Sequence, residues 1–240
     1  MISDAENSVV NEGFCLALAL QMGLRPVAAQ VHWVEGRVSL LVERYDQIED
    51  DCGQRRQLHQ EDFCQALGLP PELRYQDQGG PDLAQCFALL RNATHPRTPQ
   101  ILRFLDYVIF NALIGNEDAH GQSFSLLYFG KDAVLAPLHD VRSTAICPGL
   151  RSGMAMRIGS SYRFGEVRAS DWEQLAQEAG LARELVTNRV REMARELVPA
   201  ARRLGVNASR GFAGSAVVAQ IIAVIEQRCA RALSSYDTMA

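Results

Sequence analysis

The densest run of reactive side chains in this sequence is Gly115-Asn116-Glu117-Asp118-Ala119-His120-Gly121-Gln122-Ser123, and a second polar segment, Pro137-Leu138-His139-Asp140, follows it. Two carboxylates brought together by an intervening hairpin suit phosphoryl transfer. One orients and deprotonates a hydroxyl while the other holds the Mg²⁺ that bridges the nucleotide phosphates. On that reading Asp118 is the base and Asp140 the metal ligand. Residue type and spacing leave other readings open. An Asp flanked by Gly and Asn is commonly a turn or capping residue, and His120 is as readily a structural hydrogen-bond donor as a catalyst. Asp118, His120, His139 and Asp140 also offer ligand atoms for a metal-dependent hydrolase, but without a recognisable metal-site spacing.

The elements that must position these residues can be read from periodicity. Apolar residues at Phe14, Ala17, Leu18 and Leu20 make one helical stripe after Asn11, with Gly23 as its stop. Val27 to Val34 and Val38 to Val42, separated by Glu35-Gly36, read as a β-hairpin, and the polar stretch Asp46 to Gln57 as a solvated loop. A short helix is expected around Glu61 to Leu67 and another from Pro81, a favourable first-turn residue. Helical periodicity runs from Pro99 to Ile114 and ends at Gly115-Asn116. Phe124 to Phe129 and Ala133 to Ala136 read as two strands about Gly130-Lys131-Asp132. The reactive loop therefore sits between a buried helix and a hairpin. Ser170 and Glu173 have capping-box spacing, and amphipathic helices are expected over Ala182 to Leu204 and Ala213 to Leu233. The Arg-rich run Arg189 to Arg203 reads as a solvated helix face.

Composition bounds the function. With 240 residues, 48 % hydrophobic and 22 % charged, the chain can bury one sizeable core and shows no disordered tract. A formal charge of −4 and a pI near 5.8 give no general attraction to nucleic acid or anionic membrane, so direct nucleic-acid binding is not expected. The six scattered cysteines lack CxxC spacing, and the polar, acidic N-terminus does not resemble a signal peptide. A reduced, cytoplasmic setting away from the membrane is the expectation.

Several blocks, taken together, resemble one family. Phe110-Asn111-Ala112-Leu113-Ile114-Gly115-Asn116-Glu117-Asp118-Ala119-His120, then Phe124-Ser125 and Leu135-Ala136-Pro137 before Asp140, are similar to the catalytic loop and metal-binding segment of HipA-family kinases. Leu41-Val42-Glu43-Arg44-Tyr45-Asp46 resembles the segment linking that family's lobes. His59-Gln60-Glu61-Asp62-Phe63-Cys64-Gln65-Ala66-Leu67-Gly68 resembles its QEDxCQxxG block, and Arg74-Tyr75 and Gly79-Gly80-Pro81 fall in the family's order. The resemblance implies Asp118 as catalytic base, Asp140 as metal ligand and His120 as a brace of the catalytic loop. It also implies Glu43 and Tyr45 at the adenine, the first through main-chain hydrogen bonding and the second by packing. ATP and Mg²⁺ are the implied cofactors.

The sequence departs from the family in two places. The catalytic loop of the family ends in Lys-Asn, whereas this chain has Gln122 and Ser123. A neutral Gln cannot replace a cation at developing phosphate charge, while Ser123 can still offer Mg²⁺ a hydroxyl. The phosphate-covering loop and its lysine are also expected ahead of the first helix, and no GxGxxG or Walker sequence occurs here. The expected fold is α+β and mainly α: a kinase-like C-terminal helical lobe with a small N-terminal β-hairpin and a catalytic-loop hairpin. Residues 1–46 are expected as a remnant of the N-lobe with helix, hairpin and hinge, and 47–240 as the catalytic lobe. The resemblance implies a toxin-type serine/threonine kinase acting on a protein substrate and neutralised by a helix-turn-helix antitoxin. A separate N-lobe polypeptide, or loss of catalysis leaving a pseudokinase-like binding module, would account for the departures.

Overall fold

The computed structural model describes residues 4–35, 37–49, 52–147, 149 and 153–237. Helix α1 (Asp4–Gln21) is longer than its apolar stripe. It starts upstream of Asn11, in polar sequence whose helicity the stripe alone could not reveal. Strands β1 (Ala29–Val34) and β2 (Arg37–Val42) pair antiparallel with Ala29 opposite Val42, as the hairpin pattern predicts. Gly36 of the expected turn lies outside the described residues. The stretch expected to be a loop contains a further small hairpin, β3 (Gln47–Glu49) with β4 (Arg55–Gln57). Its strands are three residues each and exposed throughout, with Ile48 their one apolar side chain, so they are too short and too polar to show the alternation that marks a half-buried strand.

The helix expected over Glu61 to Leu67 divides in two. His59–Asp62 is strand β5, and only Phe63–Ala66 is helical, as α2. The boundary falls at Asp62, whose carboxylate accepts the Gln65 N–H at 2.8 Å while the Gln65 side chain accepts the Asp62 N–H at 2.9 Å. This reciprocal box stops the strand and starts the helix. The same device, Asp82 with Gln85, opens α3 (Leu83–Ala93), so Pro81 lies just before the helix and not in its first turn.

Helix α4 (Arg97–Ile114) is the central element, buried at nearly every position from Phe104 to Ile114. Phe104 packs edge-on against Phe87 and Phe124, with ring centroids 4.9 and 5.0 Å away, and Phe63 closes the cluster. Strands β6 (Ser125–Phe129) and β7 (Asp132–Leu135) form the predicted hairpin, and β5 adds to β6 with Asp62 opposite Ser125. The QEDxCQ-like block is thereby fixed beside the segment that follows the reactive loop.

Three helices complete the lobe: α5 (Ala169–Glu178), α6 (Arg183–Gly205) and α7 (Ala216–Asp237). The cap of α5 is not Ser170 with Glu173. The Asp171 carboxylate accepts the Arg168 N–H at 2.9 Å and the Ser160 hydroxyl at 2.8 Å, so the cap lies two residues earlier than expected. Helices α6 and α7 pack along one another and onto α1 and α4, giving the mainly helical α+β architecture. Among the described residues no helix is long and apolar enough to cross a membrane.

Candidate functional site

The site is built from the C-terminal end of α4. Gly115 ends the helix in the left-handed region at φ 82°, and a Cβ there would lie 2.8 Å from Val224 and 2.9 Å from Ala145. Glycine is required on both grounds. The chain turns sharply into buried Asn116, whose side-chain amide reaches both carboxylate-bearing segments. Its Oδ1 accepts the Asp118 N–H at 3.3 Å. Its Nδ2 donates to Asn111 Oδ1 at 2.8 Å and to the Asp140 carbonyl at 3.4 Å.

Asp118 is half-buried, and its Oδ1 accepts a hydrogen bond from the Tyr75 hydroxyl at 2.8 Å. The Tyr75 pKa is raised, first by burial and then by the hydrogen bond and charge of Asp118. His120 packs edge-on against the Tyr75 ring at 5.2 Å. Burial lowers the His120 pKa, partly opposed by the charge of Asp118, so the neutral imidazole is favoured. Ser123 is buried, with Oγ 3.2 Å from His120 Nδ1 and 3.5 Å from the Asp118 carbonyl. Its hydroxyl braces the loop from inside. Gln122 points the other way and donates its amide to the Pro71 carbonyl at 3.1 Å.

Asp140 sits at φ 52°, a left-handed conformation uncommon for a residue other than glycine. Its Oδ1 lies 3.1 Å from the guanidinium of Arg142. His139, beside it, places Nδ1 2.9 Å from the Pro137 carbonyl and tilts its ring over Tyr45, with centroids 5.5 Å apart. Tyr45 is half-buried and its pKa is raised by burial. Glu43 has an exposed side chain, and its N–H donates to the Ala28 carbonyl at 2.9 Å, extending the β1–β2 hairpin. Beside the loop lies an open, polar cleft of about 610 Å³, lined by Asp46, Gln60, Gln122 and His139 among others.

The structure thus joins the main chains of Asp118 and Asp140 through one buried amide, with His120 and Ser123 hydrogen-bonded to the Asp118 carbonyl. It sets Tyr45 against His139, which lines the cleft, and leaves the Glu43 side chain exposed. Four contributors had no signal in spacing: Tyr75, Asn116 as a bridge, Arg142, and a part-buried ion pair between Glu117 and Arg228 at 2.6 Å. Tyr75 reaches Asp118 across 43 positions and Arg228 reaches Glu117 across 111, separations that only the folded chain closes.

Comparison with known proteins places these observations in a family. Residues 2–201 match the HipA-like C-terminal domain. The protein named "Putative kinase Y4mE" of Sinorhizobium fredii is 44 % identical over 180 residues, covering 75 % of this chain and 43 % of that protein. The serine/threonine-protein kinase toxin HipA of Shewanella oneidensis is 25 % identical over 202 residues, covering 79 % of this chain and 46 % of that protein. The chain therefore spans less than half the length of these curated relatives. HipA in the Shewanella oneidensis complex of HipA, HipB and operator DNA superposes with a TM-score of 0.87 at 22 % identity, covering 99 % of this chain and 58 % of that one. The Helicobacter pylori proinflammatory kinase CtkA superposes at 0.58 and 12 % identity, covering 97 % of this chain and 86 % of that one. The two structural likenesses show a shared fold.

Proposed function

The chain belongs to the HipA-like C-terminal domain family, and on that premise we propose that it is the catalytic lobe of a serine/threonine protein kinase. The reaction proposed is transfer of a phosphoryl group from ATP, with Mg²⁺, to a protein hydroxyl. The observation that carries this reading is the Asn116 amide, which holds the main chains of Asp118 and Asp140 to one centre. Residues 1–46 then supply the hinge side of the nucleotide-covering lobe and 47–240 the catalytic lobe. Activity belongs to this chain together with the part of its relatives' length that it does not span.

The donor set suits Mg²⁺ held jointly by protein and nucleotide. Asp140 offers a carboxylate with a 40 % exposed side chain, and Mg²⁺ commonly takes one or two carboxylates and completes its shell with phosphates and water. Among the described residues no group of three or more His, Cys, Asp or Glu side chains could hold a metal by itself. Ser123 would have to turn its hydroxyl away from His120 to join. Bound with ATP, Mg²⁺ supplies charge neutralisation at the phosphates.

The chain's own residues do the rest. Asp118 accepts the acceptor hydroxyl's proton, held in orientation by Tyr75 and by its own N–H on Asn116. Neutral His120 braces the loop through Ser123. Tyr45, His139 and the hinge main chain form the adenine side of the cleft. A protein substrate is the expected acceptor and, by analogy with the HipA–HipB complex, a helix-turn-helix antitoxin the expected partner.

The test is phosphate transfer from labelled ATP by the complete polypeptide, or by this chain mixed with a separately encoded N-lobe. Asp118→Asn should abolish transfer and retain nucleotide binding, whereas Asp140→Asn should lose Mg²⁺-dependent nucleotide binding. Full transfer by Asp118→Asn would overturn the assignment. One observation favours a second reading, a non-catalytic module that binds an antitoxin or substrate protein. Gln122 and Ser123 are committed to Pro71 and His120, where the family has a cation and a metal ligand. Absence of transfer by the completed native enzyme, with nucleotide binding intact, would select it.

A further inference from the structure

Asp140 and Arg142 lie on a short span fixed at both ends. Upstream, the Leu138 N–H donates to Arg25 O at 2.8 Å and the Val27 N–H donates to Leu138 O at 2.9 Å. Downstream, the Asn11 side chain of α1 clamps Ser143 twice, accepting its N–H at 2.8 Å and donating to its carbonyl at 3.1 Å. The backbone between is therefore held while the Arg142 side chain is 36 % exposed. Among the described residues, the hydrogen-bonding partner of the Asp140 carboxylate is this guanidinium, 3.1 Å from Oδ1.

From this geometry we infer that Arg142 is a built-in occupant of the divalent-metal position at Asp140, displaced when a metal ion binds. The inference rests on the proposed role of Asp140. A guanidinium at 3.1 Å satisfies one carboxylate oxygen with a single positive charge, and a divalent ion of twice that charge competes for the same lone pairs. The same arginine that stabilises the metal-free carboxylate therefore weakens metal binding, so this site is tuned toward ions delivered together with nucleotide phosphates. The clamps at Leu138 and Ser143 confine the exchange to side chains.

Mn²⁺ alone, followed by water-proton relaxation on the purified 240-residue chain, reads the competition without any requirement for catalysis. Arg142→Ala should bind Mn²⁺ about three- to tenfold more tightly than the native chain, the range expected when an exposed, partly screened cation is removed from a carboxylate. Arg142→Lys, which keeps the charge, should lie between them. In the native chain the Arg142 side-chain N–H resonances should shift as Mg²⁺ is added, reporting departure from Asp140. Unchanged affinity in Arg142→Ala, alongside weaker binding in Asp140→Asn, would overturn the inference and leave Asp140 a metal ligand. Equal Mn²⁺ binding by Asp140→Asn and the native chain would overturn both the inference and the metal role on which it rests. Circular dichroism melting of each variant checks that its fold is retained.

Discussion

The pairing of Glu117 with Arg228 ties the reactive loop to α7, and its removal should be among the most damaging single changes outside the apolar core. The two side chains are 17 % and 11 % exposed and meet at 2.6 Å. Arg228 also donates to the Ala112 carbonyl at 2.9 Å in the last turn of α4, and its guanidinium lies 4.7 Å from the centre of the Phe164 ring. Glu117 in turn accepts the Gly153 N–H at 3.3 Å. Burial lowers the Arg228 pKa and Glu117 raises it back, so the charge is tolerated because its partner is present. Removing one member of a buried pair costs about 3–5 kcal/mol, because the other is left as an uncompensated charge. Arg228→Ala should therefore lower the unfolding free energy by about that amount, which for a domain of this size is about 6–20 °C in Tm. The double variant Glu117→Leu/Arg228→Met, which removes both charges, should recover much of the loss. Urea denaturation of the native chain, both single variants and the double variant measures the coupling directly. A loss below about 1 kcal/mol in Arg228→Ala, or additive single losses in the cycle, would refute the claim that this contact anchors the loop.

Two further outcomes follow from local geometry. Gly115→Ala should cost about 2–5 kcal/mol in urea unfolding, since it adds left-handed backbone strain at φ 82° to a Cβ less than 3 Å from Val224 and Ala145. For His120 the folded pKa lies below the ordinary value of about 6.5, so its neutral burial stabilises the fold above that pH. That contribution is lost as pH falls from about 6.5 through the folded pKa, and His120→Asn should show a shallower drop in stability between about pH 7.5 and 5.5.

Much of the arrangement was already written in the sequence. The stripe from Pro99 to Ile114, its stop at Gly115-Asn116 and the two strands about Gly130-Lys131-Asp132 gave the order of buried helix, loop and hairpin. Ordered blocks such as GNEDAH and VERYD carried the family, because each depends on residue identities fixed by local chemistry. The polar hairpin β3–β4, the strand character of His59–Asp62 and the cap of α5 were not legible. Their stability comes from pairing partners and hydrogen bonds that the local pattern does not encode.

The site divides along the same line. Residue types and spacing determined that two carboxylates, a histidine and a polar loop lie near one hairpin. Only the tertiary structure decided that the Tyr75 hydroxyl rests on Asp118, that Asn116 joins the segments of Asp118 and Asp140, and that Arg142 occupies the Asp140 carboxylate. It also decided that Gln122 and Ser123 are turned to opposite sides of the loop, one to Pro71 and one to His120. The physical reason is that periodicity records which face of an element is apolar, whereas a side-chain hydrogen bond depends on where two distant segments meet.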